Sequence, residues 1–296
     1  MTDAAGGKSA GAAGSSATFA LVGPGRAGLA LARALTAADW SMVSLAGREQ
    51  SSASVQAAAR EFGAAVTVLS QVGKGAELVL LAVPDSAIEA CATAIADSLE
   101  TSALVVHCSG ATDLSVFDAL RSVRPDVRVG SIHPLQTLPG RPTDSTRLIG
   151  AGFAVEGPVD ALNQIVAQIG GVPFTVADRV LYHAAAVVAS NHLVALIGQL
   201  QRLSDLSGAP LEAFRPLAEH ALANAFDLGP QTALTGPVAR GDAATVMRHL
   251  RTLPPEEQAG YRALALEALK LVTSPDPAIR SLLEEPSGTA QSETSP

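Results

Sequence analysis

The chain has 296 residues, a formal net charge of −8, 48% apolar residues and only 3% aromatic residues. That length suffices for two domains or one large domain, and the core must be built mainly from Ala, Val and Leu. Because no basic cluster accompanies the negative charge, nucleic acids and anionic membrane surfaces are not expected as partners.

Both ends of the chain are small and polar, so residues 1–17 and 285–296 are predicted to be disordered tails. Residues 1–17 have no apolar segment of the kind found in a signal peptide. The two cysteines, Cys91 and Cys108, form no disulfide or zinc-site pattern. We therefore expect a protein of the reducing cytoplasm.

The first motif is a glycine loop with the spacing GxGxxG, made of Gly23, Pro24, Gly25, Arg26, Ala27 and Gly28. A β-prone run over Thr18–Val22 precedes it, a helical pattern over Leu29–Ala38 follows, and Ser41–Ala46 reads as a second strand. This βαβ context predicts dinucleotide binding, with the pyrophosphate at the helix N-terminus and Arg26 adding charge. The alternative is an ordinary glycine turn without a ligand.

Arg48 indicates which dinucleotide is bound. It follows Gly28 by 20 residues, where an Asp or Glu binds the ribose hydroxyls of NAD and an Arg accommodates the extra phosphate of NADP. We predict NADPH, with its 2′-phosphate on Arg48. Two alternatives stay open: a solvated arginine, or an NAD ribose held by Glu49.

Strand and helix patterns alternate up to residue 177, and only helical patterns follow. We predict an α/β fold: a doubly wound, mostly parallel Rossmann sheet in residues 18–177, then an all-helical substrate and dimerisation domain in residues 178–284. Polar residues interrupt the apolar stretch Leu181–Leu200, which favours a buried helix over a membrane span.

Polar, turn-like sequences follow three predicted strands, and ligands of doubly wound sheets lie beyond the carboxyl ends of the strands. We assign Val83, Pro84 and Asp85 to cofactor binding. We assign Ser109, Gly110, His133 and Gln136 to substrate binding. Asp85 could instead cap a helix, and His133 could be a capped turn histidine.

A polar line runs along the helix that begins near Asp178. His183 and Ser190 are seven residues apart and nearly in line, Arg179 lies one turn earlier, and Asn191 borders the line. Carbonyl reduction needs a proton donor, and none of the three lysines is well placed: Lys8, Lys74 and Lys270. By elimination His183 is the proposed acid, with Ser190 and Asn191 orienting the substrate or the cofactor amide. A hydrogen-bonded helix–helix contact is the alternative.

A turn sequence between predicted helices, Thr235–Asp242, contains Arg240. Arg240 could bind a substrate anion or pair with Asp242.

Six short motifs occur in a characteristic order: GPGRAG, AVPDSAI, HCSG, HPLQT, YHAAA with SN, and TGPVARGD. Together they resemble bacterial proteins that join a Rossmann-like domain to a helical C-terminal domain of unknown function, in the 6-phosphogluconate dehydrogenase-like superfamily. The resemblance implies a homodimer formed through the helical domain and an active site between the domains. Many superfamily members carry Lys and Asn one helical turn apart, whereas Val187 stands one turn before Asn191 here.

These patterns predict an NADP-dependent oxidoreductase that reduces a small keto acid or imine, with ketopantoate as the leading substrate by analogy. The competing hypothesis is a non-catalytic NADP(H)-binding sensor or regulatory protein.

Overall fold

The computed structural model describes residues 16–284. The predicted tails therefore lie outside the described residues, except for Ser16 and Ala17. The Ala17 carbonyl accepts a backbone hydrogen bond from Ser41 at 2.8 Å, so the ordered sheet begins just before its first strand.

An eight-stranded sheet lies at the centre of the first part of the chain. Its strands are β1 (Thr18–Val22), β2 (Ser41–Ala46), β3 (Ala65–Val66), β4 (Leu78–Leu81), β5 (Leu104–His107), β6 (Arg128–Pro134), β7 (Gly152–Glu156) and β8 (Val172–Phe174). The order is β3-β2-β1-β4-β5-β6-β7-β8, and β1 to β6 are parallel. Strand β7 is antiparallel to β6, and β8 is parallel to β7. The predicted doubly wound, mostly parallel sheet is confirmed. The chain order reverses between β1 and β4, which is where such sheets bind ligands.

Helices cover both faces of this sheet: α1 (Arg26–Ala37), α2 (Ala53–Phe62), α3 (Ile88–Ala94), α4 (Asp118–Val123) and α5 (Val159–Gln168). The continuously apolar sequence of strand β4 is explained by burial on both faces of the sheet. Leu78 and Leu80 belong to the core on one face, and Val79 and Leu81 belong to the core on the other. A strand buried on both faces has no solvent side, so the usual polar alternation is lost.

Several element boundaries differ from the predicted ones. Helix α1 begins at Arg26 rather than Leu29, because Gly25 already adopts the extended conformation of an N-cap. The last strand is Val172–Phe174 and ends before residue 177, because pairing with β7 sets its register. Pro173 is tolerated there because β8 is the edge strand.

The rest of the chain is helical: α6 (Arg179–Val187), α7 (Leu193–Ser207), α8 (Leu211–Asp227), α9 (Pro230–Ala233), α10 (Ala243–Thr252), α11 (Pro255–Leu269) and α12 (Pro277–Glu284). A π-helical turn, Val188–His192, joins α6 to α7 without a break. Pro216 lies inside α8 and does not end the helix. The helical region predicted after the sheet is confirmed.

Contacts divide the chain into two compact units, one running to Ser190 and the other beginning at Asn191. The division falls within the long helix, whereas the sequence pattern changes earlier, at residue 178. The second unit has a small core of its own, in which Val246 and Leu250 pack with Leu269, Ile279 and Leu283.

The continuous helix Arg179–Ser207 is largely exposed in the single chain, and our expectation of a buried helix is wrong. Leu181 is 69% exposed and Val194 is 71% exposed. By length and composition this helix could cross a membrane, and it is the one such helix in residues 16–284. A single helix of this kind is weak support for a membrane protein.

The single tryptophan of the chain, Trp40, lies just before β2. Its indole nitrogen donates a hydrogen bond to Gln168 Oε1 at 2.9 Å. The contact therefore joins the turn between α1 and β2 to the end of α5.

Candidate active site

The glycine loop follows β1 at the carboxyl edge of the sheet, and its three glycines differ in how much space surrounds them. Gly23 has φ +88°, and a β-carbon there would meet the Ala82 carbonyl oxygen at 2.5 Å. A β-carbon on Gly28 would meet the Gly23 carbonyl oxygen at 2.5 Å. By contrast, a β-carbon on Gly25 would meet nothing within 4 Å. Gly23 and Gly28 are thus required by packing, whereas Gly25 borders open space.

The open space at Gly25 lies at the N-terminus of α1. No side chain caps this end, and the first turn carries no acidic residue. The backbone N–H groups of a first turn have no partners within their helix, and the helix dipole favours an anion there. The exposed Arg26 adds a positive charge, and its stem packs against Gly140, where a β-carbon would stand 2.9 Å from Arg26 Cγ. These residues fit the pyrophosphate of a dinucleotide.

Arg48 lies just after β2, at the same edge of the sheet. It is exposed and makes no hydrogen bond or ion pair with any residue between 16 and 284. Gly47 before it lies close to the loop, because a β-carbon there would be 3.5 Å from Pro24 Cδ. Ser52 caps α2 by accepting from the Val55 amide, and Glu49 is also exposed. The contact with a ribose or its phosphate therefore stays a prediction.

The segment after β4 contacts the glycine loop directly. A β-carbon on Gly23 would stand 3.0 Å from Val83 Cγ1. Pro84 follows, and a short 3₁₀ turn that no side chain caps begins at Asp85. The Asp85 carboxylate instead accepts a hydrogen bond from Ser109 Oγ at 2.8 Å. Asp85 therefore links the ends of β4 and β5, and the alternative of a simple helix cap is not what the structure has.

Ser109 is buried, and all its polar groups have partners within the protein. Its hydroxyl oxygen accepts from the amides of Ala111 and Thr112 at 3.2 and 3.0 Å. Its own amide donates to His107 Nδ1 at 3.2 Å. These bonds hold the turn after β5 in one conformation, so Ser109 shapes the backbone of Gly110 beside it.

Gly110 separates two histidine rings. A β-carbon on Gly110 would stand 2.8 Å from His133 Nε2 and 2.8 Å from His183 Cδ2. The two ring centroids are 6.1 Å apart, with the planes at 73°. His133 comes from strand β6 and His183 from helix α6. Three predicted site residues are therefore brought together, and His133 is a strand residue rather than a capped turn histidine.

His133 is held by Tyr182, which precedes His183 on α6. Its Nδ1 lies 2.7 Å from the Tyr182 hydroxyl oxygen, and the two rings meet edge to face. Burial, followed by the nearby His183 and Arg179, lowers the pKa of His133 to about 4. The ring is therefore neutral at pH 7. Burial also raises the pKa of Tyr182, so its hydroxyl stays protonated.

Arg179, the first residue of α6, is 8% exposed and joins the helix to the turn after β5 and to the middle of β6. Its Nη2 donates to the Ser109 carbonyl oxygen and to Ser131 Oγ, both at 2.6 Å. Its Nη1 lies 3.3 Å from Glu156 Oε2, without hydrogen-bond alignment. This buried cation therefore anchors α6 against β5, β6 and β7, and so keeps His183 beside Gly110.

His107 ends β5 and is fully buried. Its ring lies 5.5 Å from that of Phe117, between centroids, and its Nε2 has no hydrogen-bond partner among the described residues. Burial, with a smaller effect of Arg179, lowers the pKa of His107 to about 4. The neutral His107 ring accepts a hydrogen bond from the Ser109 amide and so stabilises the turn after β5.

The remaining predicted residues lie outside this cluster or in the second unit. Ser190 lies in the π turn, where its hydroxyl donates to the Ala186 carbonyl oxygen at 2.7 Å. The wider π turn also shifts Ser190 out of the straight line with His183 that seven α-helical residues would give. Gln136 is exposed and donates to the Arg147 carbonyl oxygen at 3.2 Å.

Asn191 and Arg240 belong to the second compact unit. Arg240 is exposed and forms no ion pair with Asp242, which caps α10 by accepting from the Thr245 amide at 3.0 Å. Hydrogen bonds from Thr245, and then the charge of Arg240, lower the pKa of Asp242, so the two charged residues interact without a direct ion pair.

His107 and Tyr182 shape this cluster but were not assigned from the sequence, and Arg179 was named only as part of the polar line on the helix. Arg179, Tyr182 and His183 are spaced by three and four residues, which puts them on one face of α6. That spacing was the available signal for the helix residues. For His107 the signal was weaker: a histidine at the end of an otherwise apolar strand.

Family comparison places the two parts of the chain in known domain classes. Residues 6–133 match a Rossmann-like domain, and residues 152–268 match a domain of unknown function, DUF2520. Two different family models therefore match successive parts of the chain. This combination confirms the Rossmann-like domain and the following domain of unknown function that the motifs indicated.

Solved structures resemble this fold over most of the chain. A candidate NADP oxidoreductase from Bacteroides fragilis is 24% identical, with a TM-score of 0.71 over 86% of this chain and 98% of that one. Protein TM1727 from Thermotoga maritima is 25% identical, with a TM-score of 0.65 over 90% and 100%. A pyrroline-5-carboxylate reductase from Coxiella burnetii is 16% identical, with a TM-score of 0.54 over 92% and 100%. No curated protein matches the sequence.

Proposed function

We propose that this DUF2520 protein is an NAD(P)-dependent oxidoreductase that prefers NADPH and reduces a small keto acid or imine. The observation that carries the proposal is the uncapped start of α1 beside Gly25, where a β-carbon would meet no atom within 4 Å. It lies where the strand order reverses, at the edge that also carries Arg48 and Asp85. The structural likeness to NADP-dependent and pyrroline-5-carboxylate reductases supports the same class.

The chain would hold the dinucleotide through the glycine loop, with Val83, Pro84 and Asp85 flanking it and Arg48 at the adenosine 2′-phosphate. When bound, NADPH supplies a hydride to the substrate carbon. The substrate oxygen or nitrogen that gains the electron pair needs a proton. We assign His183 as the donor, because it lies at the edge of the histidine cluster and histidine commonly transfers protons near neutral pH.

The remaining predicted residues have supporting roles in this proposal. Ser109 and Gly110 shape the substrate side of the site, and His133 faces the same space as His183. Gln136, Ser190, Asn191 and Arg240 are proposed to orient the substrate or the cofactor amide. Ketopantoate is the leading substrate by analogy with relatives in the superfamily.

Calorimetric titration with NADPH and, separately, NADH tests the cofactor assignment. We expect NADPH to bind the more tightly, and Arg48→Ala to weaken NADPH binding by about 10- to 100-fold, the effect of one charge-assisted contact. NADH binding should not change. Arg60→Ala, which removes another exposed arginine on the neighbouring helix, is the matched control. Binding of neither nucleotide would contradict the proposal.

Turnover on a panel of small keto acids and imines separates an enzyme from a sensor. His183→Asn should abolish turnover and leave the NADPH affinity unchanged. Tight NADPH binding by the wild type without turnover on any panel member would favour the non-catalytic sensor or regulator, for which the missing Lys–Asn pair also speaks.

We also propose a cytoplasmic homodimer, formed through the helical domain. Several large apolar side chains of the second unit are exposed in the single chain, among them Val194 (71%), Leu217 (70%) and Phe226 (82%). We propose that these side chains belong to one apolar patch, as is typical of an interface. Light scattering after size exclusion should give twice the chain mass of 30.0 kDa. Phe226→Glu should shift the protein toward the single-chain mass.

A further inference from the structure

The chain contains only two tyrosines, and each is bonded to a histidine through the same ring nitrogen. The Tyr182 hydroxyl lies 2.7 Å from His133 Nδ1, and the Tyr261 hydroxyl lies 2.8 Å from His249 Nδ1. Both ring pairs meet edge to face. The first pair lies beside Gly110 and His183, and the second lies in the second unit, between α10 and α11. The Tyr261–His249 pair can therefore serve as an internal control for substitutions in the Tyr182–His133 pair.

The first pair consists of two neutral groups at pH 7, a protonated phenol and an uncharged imidazole. A neutral imidazole carries one N–H, and the hydrogen bond made by one nitrogen decides which nitrogen bears the proton. The phenol ring withdraws electron density from its oxygen, so the hydroxyl is a better donor than acceptor. Tyr182 therefore donates to Nδ1 of His133, which leaves the proton of the ring on Nε2.

The Nε2 edge of His133 faces the space over Gly110. A β-carbon at Gly110 would be 2.8 Å from this nitrogen and equally far from Cδ2 of His183, the carbon next to Nε2 in that ring. Besides Tyr182, the charged and titratable groups around His133 are His183 and Arg179 from α6 and Asp85 from the segment after β4. His183 and Arg179 disfavour the binding of a second proton by His133, so the ring stays neutral and keeps one N–H donor.

We propose that Tyr182 is a positioning residue that fixes His133 in the tautomer protonated on Nε2, and that this N–H donates a hydrogen bond to the substrate atom receiving the proton. The second part rests on the proposed function. A neutral imidazole can polarise a carbonyl without giving up its proton, and His183 remains the proton source. A keto oxygen has lone pairs to accept this hydrogen bond, whereas a protonated imine nitrogen has none. The arrangement therefore selects a keto substrate over a protonated imine.

Nitrogen NMR of the full-length protein labelled with ¹⁵N-histidine tests the first part without any cofactor. The chain has six histidines, and His133→Gln and His249→Gln assign the two relevant rings. We expect His133 to carry its proton on Nε2 in the wild type and a mixture of both tautomers in Tyr182→Phe. Tyr261→Phe should change His249 alone. A proton on Nδ1 in the wild type, or unchanged His133 signals in Tyr182→Phe, would overturn the assignment.

Kinetics test the second part. Tyr182→Phe should lower kcat for a keto substrate by about tenfold, the scale of one weakened transition-state hydrogen bond, and leave the Kd of NADPH unchanged. Tyr261→Phe should leave both values unchanged. Full activity of Tyr182→Phe, or faster turnover of imines than of keto acids, contradicts the donor role. If the tautomer result holds but the wild type reduces nothing, the proposed function fails and the positioning role of Tyr182 stands.

Discussion

Gly110 and His183 are in direct contact although they are distant in the sequence. The space that a side chain would need at Gly110 is filled by the imidazole, because a β-carbon there would be 2.8 Å from His183 Cδ2. The first turn of α6 can approach the end of β5 this closely only because residue 110 has no side chain. Gly110 therefore sets the distance between the strand edge and the proposed proton donor.

Gly110→Ala should push both histidine rings away from their present positions. A displacement of about 1 Å at a reacting group can cost on the order of 100-fold in rate. We expect turnover to fall by at least about tenfold, with an unchanged Kd for NADPH. Gly198→Ala is a suitable control, because a β-carbon there meets only Arg202 Nη1, at 3.8 Å. Normal turnover by Gly110→Ala would show that the rings need not stay where they are.

The glycine loop allows a test in which two similar substitutions have opposite effects. Gly25→Ala adds a methyl group in open space, so the free protein should keep its stability while NADPH binding weakens. Gly28→Ala drives a β-carbon to 2.5 Å from the Gly23 carbonyl oxygen and should destabilise the free protein by about 1–3 kcal/mol. Thermal unfolding with and without NADPH separates the two effects. Equal NADPH affinity in Gly25→Ala and the wild type would argue against a pyrophosphate at this loop.

Arg179→Met should lower the free energy of unfolding by about 2–4 kcal/mol, because the Ser109 carbonyl and the Ser131 hydroxyl lose a buried charged donor. Urea unfolding measures this loss. Arg215→Met removes an exposed arginine from an i,i+4 pair with Glu219 and should change stability by no more than about 0.5 kcal/mol. Similar losses in the two variants would mean that Arg179 does not anchor α6.

Acid should destabilise the protein partly through His107. In the folded chain its pKa is lowered to about 4, below the value near 6.5 expected in the unfolded chain, so protons bind the unfolded form more readily. The stability due to neutral His107 is fully present above about pH 6.5 and is lost as the pH falls toward about 4, up to roughly 3 kcal/mol.

His107→Asn isolates this effect, because an amide oxygen can replace Nδ1 as the acceptor for the Ser109 amide. Urea unfolding at about pH 7.5 and about pH 4.5 should show a smaller acid-induced loss in the variant than in the wild type. The comparison uses the difference between the two pH values, so a constant packing cost of the substitution cancels. Parallel curves for the two proteins would contradict the assignment.

The sheet could be predicted from the sequence because its signals are local. Strands such as β4 are continuous apolar runs, and the glycine loop marks the start of α1 by steric necessity at Gly23 and Gly28. The exposure of the helix Arg179–Ser207 could not be predicted in this way. The sequence of an apolar helix face is the same whether its own chain or another molecule covers that face. Only the three-dimensional contacts distinguish these two cases.

The candidate site was predictable where polar residues follow strands, and less so where it depends on pairing across the sequence. His133 and Gly110 follow from strand ends, but the hydrogen bond from Tyr182 joins residues 49 positions apart. The role of Arg179 likewise depends on β6 and β7 meeting antiparallel at Ser131 and Glu156, a register that no local pattern encodes.

The positions of Trp40 and Tyr261 in different units of the chain affect how unfolding can be measured. The one tryptophan is tied to Gln168 within the sheet unit, and Tyr261 lies in the second unit, on α11. Tryptophan fluorescence therefore reports on the sheet unit alone, whereas far-ultraviolet circular dichroism is weighted toward the helical unit as well. If the two units melt separately, the two signals will give different midpoints, and a single two-state fit will misstate the stability of both.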